Sequence, residues 1–384
     1  MTSANIESFI ILQYSNGVGH LVRCSAIAKS LSSIAHVTLL SGGSPVEGYL
    51  APSAVDFVQL PSLRWDFVAG ASPQPDRSGM TLAQTEKMRS EMLVERYLRT
   101  RPQIVITEWF PFAPERFGET LNALFDVIGK ERKKPIVLCS IRSTPSAKMW
   151  NSRTDPAWVN RQLRDHFSGV LHHVDAKLIP LASLGSYEQA ALSGVPVWQT
   201  GFVRRPSIRM DHGRPSNGLL LTVGGGSAVG ARLLRRWIKA AKAGSPELFP
   251  INAVCGPQME AGDRKDVRAE QAANITVHDR VDNLDRLLGS SRAVVCLGGY
   301  NTLVEALSLG KPVLAFPNNE LGDQPFHLNA LHSQGMLLRA DESQSEQEIT
   351  ALMNDLINFR PRHPIDCDGA NRSVEIVRHL LSNS

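Results

Sequence analysis

Short, uninterrupted apolar runs alternate along this chain with longer stretches of helical period. "FIILQY" (9–14) is followed by a helical pattern from Leu21 to Leu31 and then by "HVTLL" (36–40). A long amphipathic stretch, "TLAQTEKMRSEMLVERYLRT" (81–100), precedes "QIVIT" (103–107), "PIVLCS" (135–140) and "AKLIP" (176–180). Strands apolar on both faces, separated by helices, predict parallel sheets covered on each side. The pattern then restarts. An Arg-, Pro- and Gly-rich stretch without periodicity (201–217) reads as a linker. After it "LLLTV" (219–223) runs through "GGGSAVG" into the helical "ARLLRRWIKAAKAG", and "INAVCG", "NITVHD", "RAVVCL" and "PVLAF" supply further strands. The expected organisation is α/β, with two Rossmann-like, doubly wound domains facing an interdomain cleft. Their bounds are 1–200 and 218–360, followed by a helical tail at 361–384.

Composition agrees and narrows the field. A chain of 384 residues exceeds one ordinary core. No apolar run approaches the roughly 18 residues of a membrane helix, and the N-terminus lacks the basic region and small-residue site of an export signal. Five scattered cysteines form no CxxC. Cys139 and Cys296 fall in strand-like runs and are expected as buried thiols, which suits a reducing cytosol and argues against structural zinc. The formal net charge of +4 is compatible with an anionic ligand or a loose hold on an anionic membrane surface. No basic block with interleaved aromatics points to nucleic acid.

The chemistry concentrates at the strand-to-helix corners. "SNGVGH" places Gly17 and Gly19 before the first helix, but Val22 stands at the third glycine position of a dinucleotide fingerprint. The second strand also ends in "SGG" rather than in a ribose-binding acid. In the second corner Gly225 and Gly230 have the P-loop gap, yet Ala231 replaces the lysine. What survives is an anion site at a helix N-terminus, present twice; tight turns alone are the plainer alternative for either corner. His20 could cap or pack, or serve as a neutral base beside a helix N-terminus. Glu108 is a second base candidate. Core packing is preferred for Phe110 and Phe112, while Trp109, just after a strand, could line the acceptor side.

Residues 281–338 carry the most specific pattern: Gly298-Gly299, Asn301-Thr302, Glu305, Gly310-Lys311-Pro312, Pro317, Asp323-Gln324 and Asn329-Ala330. This series resembles the donor-binding half of the GT-B glycosyltransferases, specifically glycosyltransferase family 28, whose best-known member is the N-acetylglucosaminyltransferase of the peptidoglycan lipid intermediate. "GVGHLVRCSAIAKSL" and "TGFV" are similar to the family's N-terminal loop and domain junction, and "TEWFPFAPERFG" points to a less-studied predicted branch near it. The resemblance implies that Glu305 accepts the two ribose hydroxyls, against the alternative of a Thr302-x-x-Glu305 capping box. It implies that backbone groups at Val281 read uracil, which makes UDP the expected carrier. Gly225, Gly226 and Ser227 would cradle the diphosphate with Arg204 or Arg205, and Asp323 and Gln324 would fix the sugar hydroxyls.

The implied reaction is a metal-independent, inverting displacement in which His20 takes the proton of an acceptor hydroxyl or amine. No cofactor is expected, the nucleotide-sugar being a substrate, and Asp366-Cys367-Asp368 reads as a solvated turn. The expected location is the cytoplasm or the inner face of a membrane. A nucleotide-sugar hydrolase using water and a non-catalytic sugar-nucleotide-binding subunit are the alternatives.

Overall fold

The computed structural model describes residues 6–383 except 13–18, 47, 65–72, 77–78, 113, 143–154, 206–217, 227, 258, 282–283 and 319–322. The chain divides into two compact units, residues 1–203 with 368–384, and residues 204–367.

The first unit opens with β1 (Glu7–Leu12), α1 (Gly19–Leu31), β2 (His36–Ser41), β3 (Val55–Gln59) and the short antiparallel pair β4 (Leu63–Arg64) and β5 (Gln74–Pro75). It continues through α2 (Leu82–Thr100), β6 (Ile104–Glu108), α3 (Pro114–Gly129), β7 (Ile136–Ile141), α4 (Pro156–His166), β8 (Gly169–His172), α5 (Ser186–Leu192) and β9 (Val197–Gln199). Seven parallel strands form one sheet in the order β3-β2-β1-β6-β7-β8-β9. Every residue of β6 and β7 is buried, as the uninterrupted apolar runs require. The α2 helix starts at a reciprocal Thr81–Gln84 capping box.

The second unit contains β10 (Leu219–Thr222), α6 (Ala228–Lys242), β11 (Ile251–Val254), α7 (Ala261–Arg268), β12 (Ile275–His278), α8 (Leu284–Ser290) and β13 (Ala293–Leu297). Then come α9 (Tyr300–Ser308), β14 (Val313–Phe316), α10 (Asp323–Ser333), β15 (Leu338–Arg339) and α11 (Glu346–Asn358). Its parallel sheet runs β12-β11-β10-β13-β14-β15. Leu221, Val295 and Leu314 pack there with Trp237 of α6, whose ring lies 5.0 Å from that of Phe316. The last helix, α12 (Gly369–Ser382), returns to the first unit, packs on α1 and bonds Arg372 Nη1 to the Thr200 carbonyl (3.1 Å).

Two local expectations fail. "AKLIP" is a turn, not a strand, because Asp175 accepts the amides of Lys177 on its side chain and of Leu178 and Ile179 on its carbonyl. The flanking strands are β8 and β9 instead. Asp368 is not part of a merely solvated turn: it forms an antiparallel bridge with Val203, stands at the N-cap position of α12 and accepts from Asn371 Nδ2 at 2.7 Å.

Candidate functional site

Each sheet changes winding direction once. In the first unit successive strands are added outward from β1 to β3 and then, on the other side of β1, from β6 to β9. In the second the reversal falls between β10 and β13. Loops leaving the carboxyl ends of such strand pairs diverge, and the space between them takes ligands. His20 and Glu108 stand at the first of these places, and the glycine corners after β10 and β13 flank the second.

In the first unit Gly19 and His20 open α1, and Glu108 ends β6. The His20 Nδ1 lies 2.8 Å from Glu108 Oε1. Glu108 is almost fully buried, whereas the His20 side chain keeps 19% of its surface exposed. Arg23, one turn along α1 from His20 and wholly buried, pairs its Nη2 with the same carboxylate oxygen. The second oxygen accepts from Ser140 Oγ (3.1 Å) and, more weakly, from Cys24 Sγ (3.8 Å). Ser140 stands directly opposite Glu108 in the β6–β7 register, so both side chains leave the same face of the sheet. Beyond it, His173 Nε2 approaches Ser140 Oγ at 3.0 Å, and Nδ1 approaches Thr200 Oγ1 at 2.8 Å. Burial pushes His173 well below the usual histidine value, with the charges of Arg23 and His172 acting in the same direction, so its ring is neutral. Burial likewise pushes the Cys24 thiol up to about 11, which makes it a weak donor rather than a thiolate.

Glu108 is therefore saturated with donors, and that corrects its candidacy as a base. It is the acceptor that orients His20. A neutral imidazole whose Nδ1–H points at a carboxylate carries its basic lone pair on Nε2. Trp109 is corrected too. It is 2% exposed, its ring meets His20 edge-on at 6.4 Å, and its backbone adopts φ 65°, a conformation rare for a bulky residue. Its amide donates to the Ser140 carbonyl (3.0 Å), and Phe110 N donates back to Glu108 O (2.9 Å). This tight reversal fixes where Glu108 ends. Phe110 and Phe112 are core residues, as expected. Gly17 lies outside the described residues.

In the second unit the glycine corner after β10 is built backbone against backbone. Gly226 has φ +86°, and a Cβ there would come within 2.4 Å of the Cys255 carbonyl. A Cβ at Gly256, φ +90°, would likewise come within 2.3 Å of the Gly224 carbonyl. Only glycine fits this contact, which leaves Gly225 and Gly226 as bare backbone just ahead of α6. Ser227 lies outside the described residues. Across the reversal, Gly298 and Gly299 turn β13 into α9; Gly298 N donates to Phe316 O (2.7 Å), and His327 Nε2 lies 2.8 Å from Gly298 O. Asn301 and Thr302 occupy the half-buried first turn of α9, and Val281 lies half-buried between β12 and α8.

Glu305 faces inward from α9, 2% exposed. The N-cap of α9 is Gly299, so the Thr302–Glu305 capping box does not form. Instead Arg205 grips Glu305 with both prongs of its guanidinium, Nε to Oε1 at 2.6 Å and Nη2 to Oε2 at 2.7 Å. Nη2 also lies 3.2 Å from Asp285 of α8. Burial raises the Glu305 pKa and the Arg205 contact counters it. Arg204 is half-buried beside it. Asp323 and Gln324 are buried at the start of α10, and Gln324 Oε1 accepts from Asn318 N at 2.9 Å. That bond assigns the amide orientation and turns the NH2 group away from Asn318.

Sequence reasoning missed Arg23, Ser140, His173, Thr200 and Asp285. The His20-x-x-Arg23 spacing, which puts both on one helix face, was the available signal for Arg23. The others come from separate strands and loops. Among the described residues no group of histidine, cysteine and carboxylate side chains could hold a metal ion, and no helix is long and apolar enough to cross a membrane.

Comparison with known proteins follows the same division. Residues 220–365 match the glycosyltransferase family 28 C-terminal domain. An uncharacterized glycosyltransferase of Methanopyrus kandleri is 25% identical over 221 residues, which cover 54% of this chain and 61% of the relative's own length. Among solved structures, the UGT2 of Phytolacca americana, complexed with UDP-2-fluoroglucose and pterostilbene, shares 18% identity at a TM-score of 0.59, over 98% of this chain and 94% of its own. The MurG of Acinetobacter baumannii shares 14% at a TM-score of 0.56, over 97% and 99%. By fold, then, this chain has the two-sheet GT-B architecture of these glycosyltransferases, and its residues 220–365 match the glycosyltransferase family 28 C-terminal domain.

Proposed function

We propose that the protein moves a sugar from a nucleotide-sugar donor, UDP-linked, to a hydroxyl or amine acceptor, with inversion and without a metal. The observation that carries this reading is the His20–Glu108 pair (2.8 Å) at the winding reversal of one unit, in a chain whose other unit is a family 28 domain. UDP is the choice supported by the complexes of UGT2 with UDP-2-fluoroglucose and of TcCGT1 with UDP.

In the proposed step His20 Nε2 takes the acceptor proton as the acceptor oxygen or nitrogen bonds to the anomeric carbon. The bond from that carbon to the diphosphate breaks with its electron pair, and UDP departs from the opposite face. Glu108 holds the ring in the productive tautomer and stabilises the imidazolium that forms. In the second unit the backbone at Gly225 and Gly226 meets the diphosphate, and Arg204 and Arg205 add charge. Gln324 offers its NH2 to a sugar oxygen and Asp323 accepts from a sugar hydroxyl. For Glu305 to accept the ribose hydroxyls, Arg205 must swing aside, which would bring its charge to the phosphates. The reaction calls for no cofactor, and its setting is the cytosol or the surface of an anionic membrane, a choice that rests on composition.

The test is a panel of UDP-, dTDP- and GDP-sugars with and without mixed hydroxyl and amine acceptors, following nucleotide release. Acceptor-dependent release of UDP, lost in His20→Ala, is the expected result. Fast release without acceptor would convert the reading to hydrolysis by the same base; nucleotide binding without turnover would leave a binding subunit.

A further inference from the structure

The carboxylate that orients His20 is itself at the end of a hydrogen-bonded line: Thr200 Oγ1, His173 Nδ1 (2.8 Å), His173 Nε2, Ser140 Oγ (3.0 Å), Glu108 Oε2 (3.1 Å). All four residues are at most 2% exposed. Nothing in the sugar-transfer chemistry requires a buried histidine three groups away from the base. A neutral ring has one N–H, so the line can run in only one of two directions. Either His173 Nε2–H donates to Ser140, whose hydroxyl then donates to Glu108, or Ser140 donates to Nε2 and Glu108 loses that donor. Thr200 has two acceptors in reach, His173 Nδ1 and the Gly201 carbonyl (3.0 Å), so it fits both. A donor aimed at an ionised carboxylate forms the stronger bond, and that selects the first direction.

We propose that Ser140 and His173 are positioning residues of the His20 base, with every hydrogen of the line from Thr200 directed toward Glu108. The proposal rests on the reading of His20 as the base. Each donor on Glu108 lowers its pull on a protonated His20, so the line sets how readily the ring gives its proton back. Among the described residues, the other charged and titratable groups facing this cluster are Arg23 and Cys24 of α1, Arg142 after β7, whose charge reaches Cys24, and His172 at the end of β8. None of them belongs to the line, so its removal can be read against a constant background.

The experiment is a ¹⁵N and ¹H NMR titration of the ligand-free full-length protein, which needs no sugar chemistry, paired with the pH profile of kcat/KM. His173 should show the Nε2–H tautomer. Ser140→Ala removes one donor from the carboxylate, so the His20 midpoint should rise by about half a unit or more. The acidic limb of kcat/KM should move up with it, while UDP affinity stays within about twofold. Ser140→Thr should restore the wild-type midpoint, and His173→Phe should give a smaller rise of the same sign. Ser140→Cys, of similar volume and weaker donor strength, replaces the alanine variant if that does not fold. A His173 Nδ1–H tautomer, or an unmoved His20 midpoint in the Ser140 variants, overturns the proposal even where sugar transfer is intact. If the midpoints move as expected but His20→Ala transfers sugar at the wild-type rate, the base assignment is what falls, and the line loses its role in catalysis.

Discussion

The contact between Arg23 and Glu108 gives the sharpest energetic test of the first unit. Their side chains are 0% and 3% exposed, so neither charge can be screened by water if the other is removed. Removing one member of a buried pair costs about 3–5 kcal/mol, mostly from the charge left behind, whereas replacing both with apolar groups of similar volume is often neutral. Glu108→Met should therefore cost about 3–5 kcal/mol, since it strands the Arg23 guanidinium. For a unit of this size that lowers Tm by roughly 6–20 °C, taking about 2–4 °C per kcal/mol. Arg23→Met should cost less, because Glu108 keeps His20 and Ser140 as donors and can bind a proton. The double variant should recover much of the loss and show a coupling of at least about 2 kcal/mol. Urea unfolding of the four proteins, read by tryptophan fluorescence and checked for equal m-values, measures it. Additive single effects, with the double variant less stable than either, would refute the claim that the two side chains are paired in the interior.

Four further outcomes follow from the same geometry. Gly226→Ala meets the Cys255 carbonyl at 2.4 Å in a left-handed conformation and should lower stability by about 1–3 kcal/mol while weakening nucleotide binding. Gly299→Ala, whose added Cβ meets no atom within 4 Å, should cost no more than about 1 kcal/mol, from replacing glycine at an N-cap; equal losses in differential scanning would contradict this. Because His173 is held neutral, the unfolded chain binds a proton near its ordinary value of about 6.5 that the folded chain refuses. Stability should then fall as pH drops below about 6.5, by at most about 1.4 kcal/mol per unit from this group, and His173→Phe should flatten the slope between pH 7.5 and 5. An unchanged slope would show that the folded protein tolerates the charge. Arg205→Ala should weaken UDP binding yet leave uridine binding equal or tighter, since Glu305 loses its competitor; calorimetry with both ligands decides, and parallel losses would count against the swing of Arg205.

Much of the architecture was legible in the chain itself. Continuously apolar runs such as "PIVLCS" can be satisfied only inside a sheet covered on both faces, and helical stretches between them force parallel crossovers. The restart after the Arg- and Pro-rich segment marked the second unit, and the "GGYNT…E…GKP…DQ" series marked its family. "AKLIP" misled because apolar content cannot distinguish a strand from a turn whose amides an aspartate has already claimed.

Only the tertiary structure decided what the functional side chains touch. Sequence set His20 beside a helix N-terminus and Glu108 at a strand end, and left both as candidate bases; their 2.8 Å contact makes Glu108 the acceptor that orients the ring, which leaves His20 as the base of the proposed reaction. The resemblance implied a phosphate for Arg205 and a ribose for Glu305, and folding joined the two side chains to each other. The physical reason is the same in both cases. Local propensity and hydrophobic period act over a few residues, so they specify elements and their order. Charge pairing acts between groups 88 and 100 residues apart, brought together only when the strands take their places in a sheet.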